Sequence, residues 1–246
     1  MRLISRQRRS PDEENPYWIS FSDVMSALLI VFILASLVLI LELMETRASV
    51  SQAIEDLDQA DQVRRTVLEE AKDELEARGI RVEIGENHSV LRIPNELLGF
   101  DTGVFRLDAR YQETAYQIGT VLGTVLRKGN RTDYLDTIFL EGHTDIRPYP
   151  GLDGMGNWGL STFRAISLWQ YWADAFVDNE DLAELTNASG APLFSVSGYG
   201  PSRPITAEQR DESEFRPNRR IDVRITIRRP EVRDYEEIRD LLGGAQ

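Results

Sequence analysis

Apolar positions fall into three regimes along this chain. From Ile19 to Leu41 they run almost without interruption, and roughly 20 such residues are what a helix needs to cross a bilayer. With its flanks Trp18 and Glu42, the run predicts a membrane helix over 18–42. From Leu43 to Arg78 the chain is rich in Ala, Glu, Gln, Leu and Arg, with no proline or glycine before Gly79. That composition predicts a continuing helix over 43–79, closed by the glycine. Ile54, Leu57, Val63, Val67, Ala71 and Leu75 form a loose apolar stripe on it, which Asp61 and Arg64 interrupt. The stripe suits a short dimeric coiled coil and a solvated stalk equally.

After Gly79 the pattern shortens. RVEI and VLRI alternate as strands do, and DARYQETAYQIGTVLGTVLRKG carries Tyr111, Ala115, Ile118, Leu122 and Val125 at helical spacing. TIFLEGH reads as a buried strand, and a loop rich in proline and glycine follows from Thr144 to Gly156. A helix is predicted from about Leu160 to Asp178, with Ile166, Trp169, Tyr171, Trp172 and Phe176 as core and rim. LFSVSGYG and IDVRITI supply two more strands around a polar loop over 201–217, and a charged tail helix is predicted near Val232 to Leu242. Strands alternating with helices predict an α/β sandwich with one mixed sheet over 80–228, followed by a tail over 229–246.

Charge sets the orientation. Arg2, Arg6, Arg8 and Arg9 lie in an arm over 1–17 ahead of the apolar run, and Glu42 and Glu45 follow it. By the positive-inside rule the arm stays in the cytoplasm and the chain beyond Leu43 lies outside. A signal peptide is the other reading of such a run. This one is long for that role, contains an acid and ends in LELME, so it reads as a retained anchor. The net charge of −13 argues against nucleic acid as the main partner. With no cysteine, thiolate metal sites, disulfides and cysteine nucleophiles are excluded.

One residue breaks the membrane run. An ionised acid in a spanning helix costs on the order of 2.5–3.5 kcal/mol and faces a partner or a water path, so Asp23 is a candidate proton carrier. The plainer alternative is a boundary residue, since Asp23 lies only about 7 Å inside the start of the run. Ser20, Asp23, Ser26 and Ala27 share one helical face, a small polar strip suited to neighbouring helices.

Four ordered motifs carry a resemblance: EGHTD (Glu141 to Asp145), NWGLSTFRA (Asn157 to Ala165), SGYG (Ser197 to Gly200) and NRRIDVRI (Asn218 to Ile225). Together they resemble the OmpA/MotB C-terminal peptidoglycan-binding domain over about residues 80 to 228. The segment WISFSDVMSA separately resembles the membrane helix of the MotB class of stator subunits. In that class the acid at this position carries the driving ion, which implies Asp23, with Ser20 and Ser26 beside the ion path. For the outer domain the resemblance implies that Asp145 and Arg164 hold the zwitterionic end of diaminopimelate in the peptidoglycan stem. Thr144, Asn157, Asn218, Arg219 and Arg220 lie around that site.

The chemistry suits those residue types: a carboxylate takes an ammonium group, and a guanidinium fork takes a carboxylate through two parallel bonds. Asn157 and Arg164 are seven residues apart, two helical turns, so both can face the Asp145 loop. On the residues alone Asp145 and Arg164 are equally a structural ion pair that shapes the loop. His143 reads as a turn residue, since the only other histidine, His88, has no ligand pattern around it.

No nucleophile–base constellation or phosphate loop stands out, so the reading is not an enzyme, with no cofactor beyond a translocated ion. A proton is expected and sodium remains open. Partners implied by the resemblance are a second copy of the chain, a surrounding ring of a multi-span MotA-like (ZorA-like) subunit, and peptidoglycan. SDVMSALLIVFILASLVLILE with NWGLSTFRA, SGYGPSRP and NRRIDVRI most resembles the MotB-like subunits of Zorya anti-phage systems. Flagellar or other MotB-like stators are the alternative, and a passive OmpA-like wall tether is an alternative of a different class.

Overall fold

The structure, a computed structural model, describes residues 16–100, 103–176 and 181–229. The arm before residue 16 and the predicted tail helix lie outside them. The chain divides into two units, Met1–Ala53 and Ile54–Gln246.

Helix α1 (Pro16–Ala77) supplies all described structure of the first unit and continues into the second. Its large apolar side chains from Tyr17 to Leu41 are all exposed. A helix apolar on every side has no face suited to water, and this stretch is long and apolar enough to cross a membrane. Trp18 and Phe21 meet edge to face near its start, where aromatic side chains favour the membrane–water boundary.

In the second unit the end of α1 is neither a free stalk nor a coiled-coil seam. Ala60, Val67, Leu68, Ala71 and Leu75 are buried, the last four in the same core as Leu91, Ile93, Leu122 and Val223. Glu70 fastens the polar side, accepting from Lys128 at 2.8 Å and from Arg131 at 2.6 and 3.0 Å. Those two cations, through hydrogen bonds, hold its carboxyl down at about 2. Asp61 and Arg64, which break the heptad, pair with each other within the helix. The helix stops at the expected glycine: Gly79 takes a left-handed φ of 80°, and the amides of Gly79 and Ile80 bond back to Glu76 and Leu75.

The sheet contains β1 (Glu83–Gly85), β2 (Val90–Pro94), β3 (Leu135–His143), β4 (Phe194–Gly198) and β5 (Arg220–Ile227), in the order β1-β2-β5-β3-β4. Only β3 and β4 are parallel, so the sheet is mixed, as expected. Between the strands lie a short α2 (Asn95–Leu98), α3 (Gln112–Leu126), α4 (Gly156–Ala175) and α5 (Glu212–Phe215). Alternation along β5 turns Ile221, Val223 and Ile225 into the core and leaves Arg220, Asp222 and Arg224 on the opposite face.

Two departures from the sequence reading place the site. Helix α4 begins at Gly156 rather than near Leu160, which brings Asn157 into its first turn. The polar loop is not structureless: Asp211 caps α5 by accepting from the amides of Ser213 and Glu214, and a 3-10 turn over Arg216–Asn218 leads directly into β5. The close fit of α4 on the sheet depends on glycine. A Cβ on Gly142 would stand 1.9 Å from the Ser161 carbonyl oxygen, and one on Gly198 would stand 2.2 Å from the Thr162 hydroxyl.

Candidate functional site

The end of β3 and the start of β5 are neighbours, with His143 opposite Arg220. That register brings EGHTD beside NRR, while the fit of α4 brings Asn157 and Arg164 over the same end. The Thr144 amide donates to the Gly200 carbonyl at 3.0 Å, and the Gly200 amide donates to Ser161 Oγ at 2.9 Å, so SGYG ties the loop to α4.

Asp145 is buried at the centre. Its Oδ1 accepts from the Arg147 amide at 3.0 Å and from Arg147 Nε at 3.1 Å. Its Oδ2 accepts from Arg147 at 2.6 Å and from Arg219 at 2.9 Å. Burial pushes the Asp145 carboxyl up, and the hydrogen bonds from Arg147 and Arg219 outweigh it, holding the group below its ordinary value. A carboxylate offers about four acceptor positions, and these two arginines fill them.

Arg164 is buried on α4, with Nε donating to the Val104 carbonyl at 2.9 Å and its guanidinium 5.4 Å from the centre of the Phe100 ring. Burial, with the charge of Arg219, lowers it to about 10, while Asp145 and Tyr149 oppose the shift. It therefore stays cationic near neutral pH. Asp145, which on the residues alone is equally a structural partner of Arg164, takes Arg147 and Arg219 as its partners. Arg147 was missed by sequence reasoning, although its position two residues after Asp145 is the spacing at which a short turn folds a side chain back.

Other members of the expected set have different tasks. The Asn157 amide donates to the carbonyls of Arg147, at 2.9 Å, and Asp145, at 3.4 Å, so it shapes the loop. Asn218 accepts from the amides of Ile205 and Thr206 and donates to the carbonyls of Thr206 and Glu214, closing the loop over 201–217 on itself. Arg220 turns away to Asp222, donating from Nε to both carboxylate oxygens at 3.0 Å. Asn218 and Arg220 are therefore spent on the architecture, while Arg219 remains in the site.

His143 is no turn residue: it ends β3 and is buried beside Glu141 and Asp222, with one ligand atom from each of the three within 4.8 Å of one another. Burial and the surrounding arginines push the imidazole down to about 2, so it is neutral. Tyr199 stacks on it at 5.5 Å, and the Arg203 guanidinium lies 3.7 Å from the centre of the Tyr199 ring. Arg224 donates to Glu141 at 2.8 Å, as Arg220 does to Asp222. Both acids are already compensated by guanidinia, which makes this a buried ionic network behind the site.

In the first unit, Ser20, Asp23 and Ser26 lie on α1 as expected, all exposed, and Ser26 Oγ donates to the Ser22 carbonyl at 2.7 Å.

Comparison with solved structures gives a match to a MotB-like protein from Desulfovibrio vulgaris, with a TM-score of 0.50 and 19% identity, covering 70% of this chain and 99% of that one. The fold is that of a MotB-like protein. Among curated proteins, the chain is 30% identical over 146 residues to the Zorya protein ZorB of Escherichia coli O139:H28 (strain E24377A / ETEC), covering 57% of this chain and 55% of ZorB. The match thus spans about half the length of that relative. An uncharacterized protein of Bacillus subtilis (strain 168), YtxE, is 23% identical over 239 residues, covering 87% of this chain and 90% of YtxE. No protein-family model matches the sequence.

Proposed function

We propose that this chain is the cell-wall-anchored subunit of an ion-driven membrane motor acting in anti-phage defence. The observation that carries the reading is one of continuity: a helix fit to span a membrane, with Asp23 in its first turns, runs on into a MotB-like domain that gathers Asp145, Arg147, Arg164 and Arg219. The similarity to ZorB supports the defence role over a flagellar one.

In this reading the N-terminus is cytoplasmic and the domain stands in the periplasm of a bacterial inner membrane. Two copies sit inside a ring of a multi-span MotA-like subunit. Protonation of Asp23 neutralises it and loosens its contacts with the ring, and release on the cytoplasmic side resets it. Each charge crossing 100 mV supplies about 2.3 kcal/mol, enough to bias a rotation step strongly. Torque needs a fixed reference, which the outer domain supplies by holding the zwitterionic end of a peptidoglycan stem. Asp145 takes its ammonium group, and Arg164 takes its carboxylate.

The test is phage plating efficiency on cells carrying the native operon, wild type against Asp23→Asn at matched membrane levels. Protection by wild type alone is the expected result. Equal protection by both refutes ion carriage and leaves a passive wall tether. Protection by neither refutes the defence role, and swimming of the same strains then tests a flagellar one.

A further inference from the structure

The Asp145 carboxylate is already occupied by the protein itself. Arg147 contributes three of its four hydrogen bonds, two of them from the guanidinium, at 3.1 and 2.6 Å. Those bonds are of the kind that the ammonium group of a wall peptide would make. Two further contacts hold this side chain from its outer side at the same time. Its Nη1 lies 3.4 Å from Glu212 Oε2, and its guanidinium lies 4.5 Å from the centre of the Phe215 ring, over which it stacks. Both Glu212 and Phe215 belong to α5. The Glu212 side chain is 63% exposed and that of Arg147 is 39% exposed, whereas that of Asp145 is 7% exposed, so the movable partners are the outer ones.

We propose that Arg147 is an internal competitor for the cationic end of the ligand: it closes the Asp145 subsite when empty, and when a ligand ammonium enters it releases Asp145 and stays held by Glu212 and Phe215, which it already touches. This rests on the reading of the domain as a peptidoglycan-stem binder. The device sets specificity as well as affinity. A ligand without a free ammonium cannot repay the loss of the Arg147 contacts, since a buried carboxylate stripped of three of its four hydrogen bonds is costly, and so it leaves the subsite closed. Arg219, 2.9 Å from Asp145, needs no displacement and keeps the carboxylate ionised. Glu212 also pairs with Arg219, so the receiving acid is held in place.

Isothermal titration of the full-length chain in lipid nanodiscs tests this with two soluble muropeptides. One carries free diaminopimelate, and in the other its side-chain ammonium is acetylated. Arg147→Ala is expected to bind the free peptide about tenfold more tightly than wild type, with no gain for the acetylated one, and Arg147→Gln to do the same. Glu212→Gln is expected to bind the free peptide more weakly, because the displaced arginine loses its receiving acid. Thermal unfolding of each variant confirms the folded state. If wild type binds the free peptide, Asp145→Asn does not, and Arg147→Ala binds it no more tightly than wild type, the competitor is overturned while stem binding stands. An equal gain for both peptides also overturns it, since the effect then does not depend on the ammonium group. If neither wild type nor Arg147→Ala binds either peptide, the stem-binding reading falls and the competitor falls with it.

Discussion

Gly142→Ala is the sharpest single probe of how the site is held. Gly142 lies in β3, opposite Ile221 of β5 on one side and Gly198 of β4 on the other, and it is not in the left-handed region. Alanine is therefore acceptable to its backbone, and space alone decides the outcome. The added Cβ would stand 1.9 Å from the carbonyl oxygen of Ser161 and 2.6 Å from its carbonyl carbon, both main-chain atoms of α4. Restoring ordinary contact requires α4 to lift by about 1.5 Å, and overpacking against an element that cannot rotate away lies at the upper end of a range of 1–3 kcal/mol. About 3 kcal/mol corresponds to a fall in Tm of roughly 6–12 °C for a domain of this size. Differential scanning calorimetry of the full-length protein in detergent reads it directly. Gly129→Ala is the control: Gly129 has a φ of 60° with nothing within 4 Å of the added carbon, so its cost is backbone strain alone, about 1 kcal/mol. A Gly142→Ala protein that melts with wild type, or above Gly129→Ala, refutes the claim that close approach of α4 to the sheet sets the position of Asn157 and Arg164.

Two further expectations concern charge. Asp222→Asn is expected to destabilise by about 3 kcal/mol, because it leaves Arg220 buried without its counter-charge; urea unfolding at pH 7 measures it, and a loss below about 1 kcal/mol refutes the view that the network depends on that pair. Glu70→Gln tests how the end of α1 is fastened. The Glu70 carboxyl is depressed from 4.5 to about 2 in the folded protein, so its contribution is fully present above pH 4.5 and is lost as pH falls toward 2. The group is about a third exposed, so solvent screening discounts the contribution to about 1 kcal/mol. The stability difference between wild type and variant is expected to be full at pH 6 and to shrink by pH 3 in parallel unfolding curves; a constant difference refutes the assignment.

The expectations that the chain's own pattern supported are those that depend on near neighbours. The nearly continuous apolar run from Ile19 to Leu41 needs no partner to be read as a spanning segment, and Asp23 stands out because it breaks that run. Alternation in VLRI and IDVRITI, and the glycine at 79, likewise report local geometry, and the strands and helix end fall within a residue or two of where they were expected. The stripe from Val67 to Leu75 was legible as apolar but not as core. A helix face looks the same in sequence whether it meets a second copy, a sheet or water.

Pairing of charges between distant segments belonged to the tertiary structure alone. The motifs named Asp145, Arg164 and Arg219 as neighbours, but which cation holds the carboxylate depends on sheet register and on the seat of α4. Only the folded chain shows Arg147 and Arg219 on Asp145, and Arg220 turned away to Asp222. Asn157 and Asn218 show the same limit: sequence placed them at the site, and closure of the loops assigned their amides to main-chain carbonyls. Sequence by itself determined the elements and their order, because backbone preference and hydrophobic period act over a few residues. Near-neighbour pairs such as Asp145 with Arg147 and Arg220 with Asp222 lie two residues apart, but burial of those charges and the reach of Arg219 to Asp145 and of Arg224 to Glu141 were decided only when distant segments met, because desolvation acts through space.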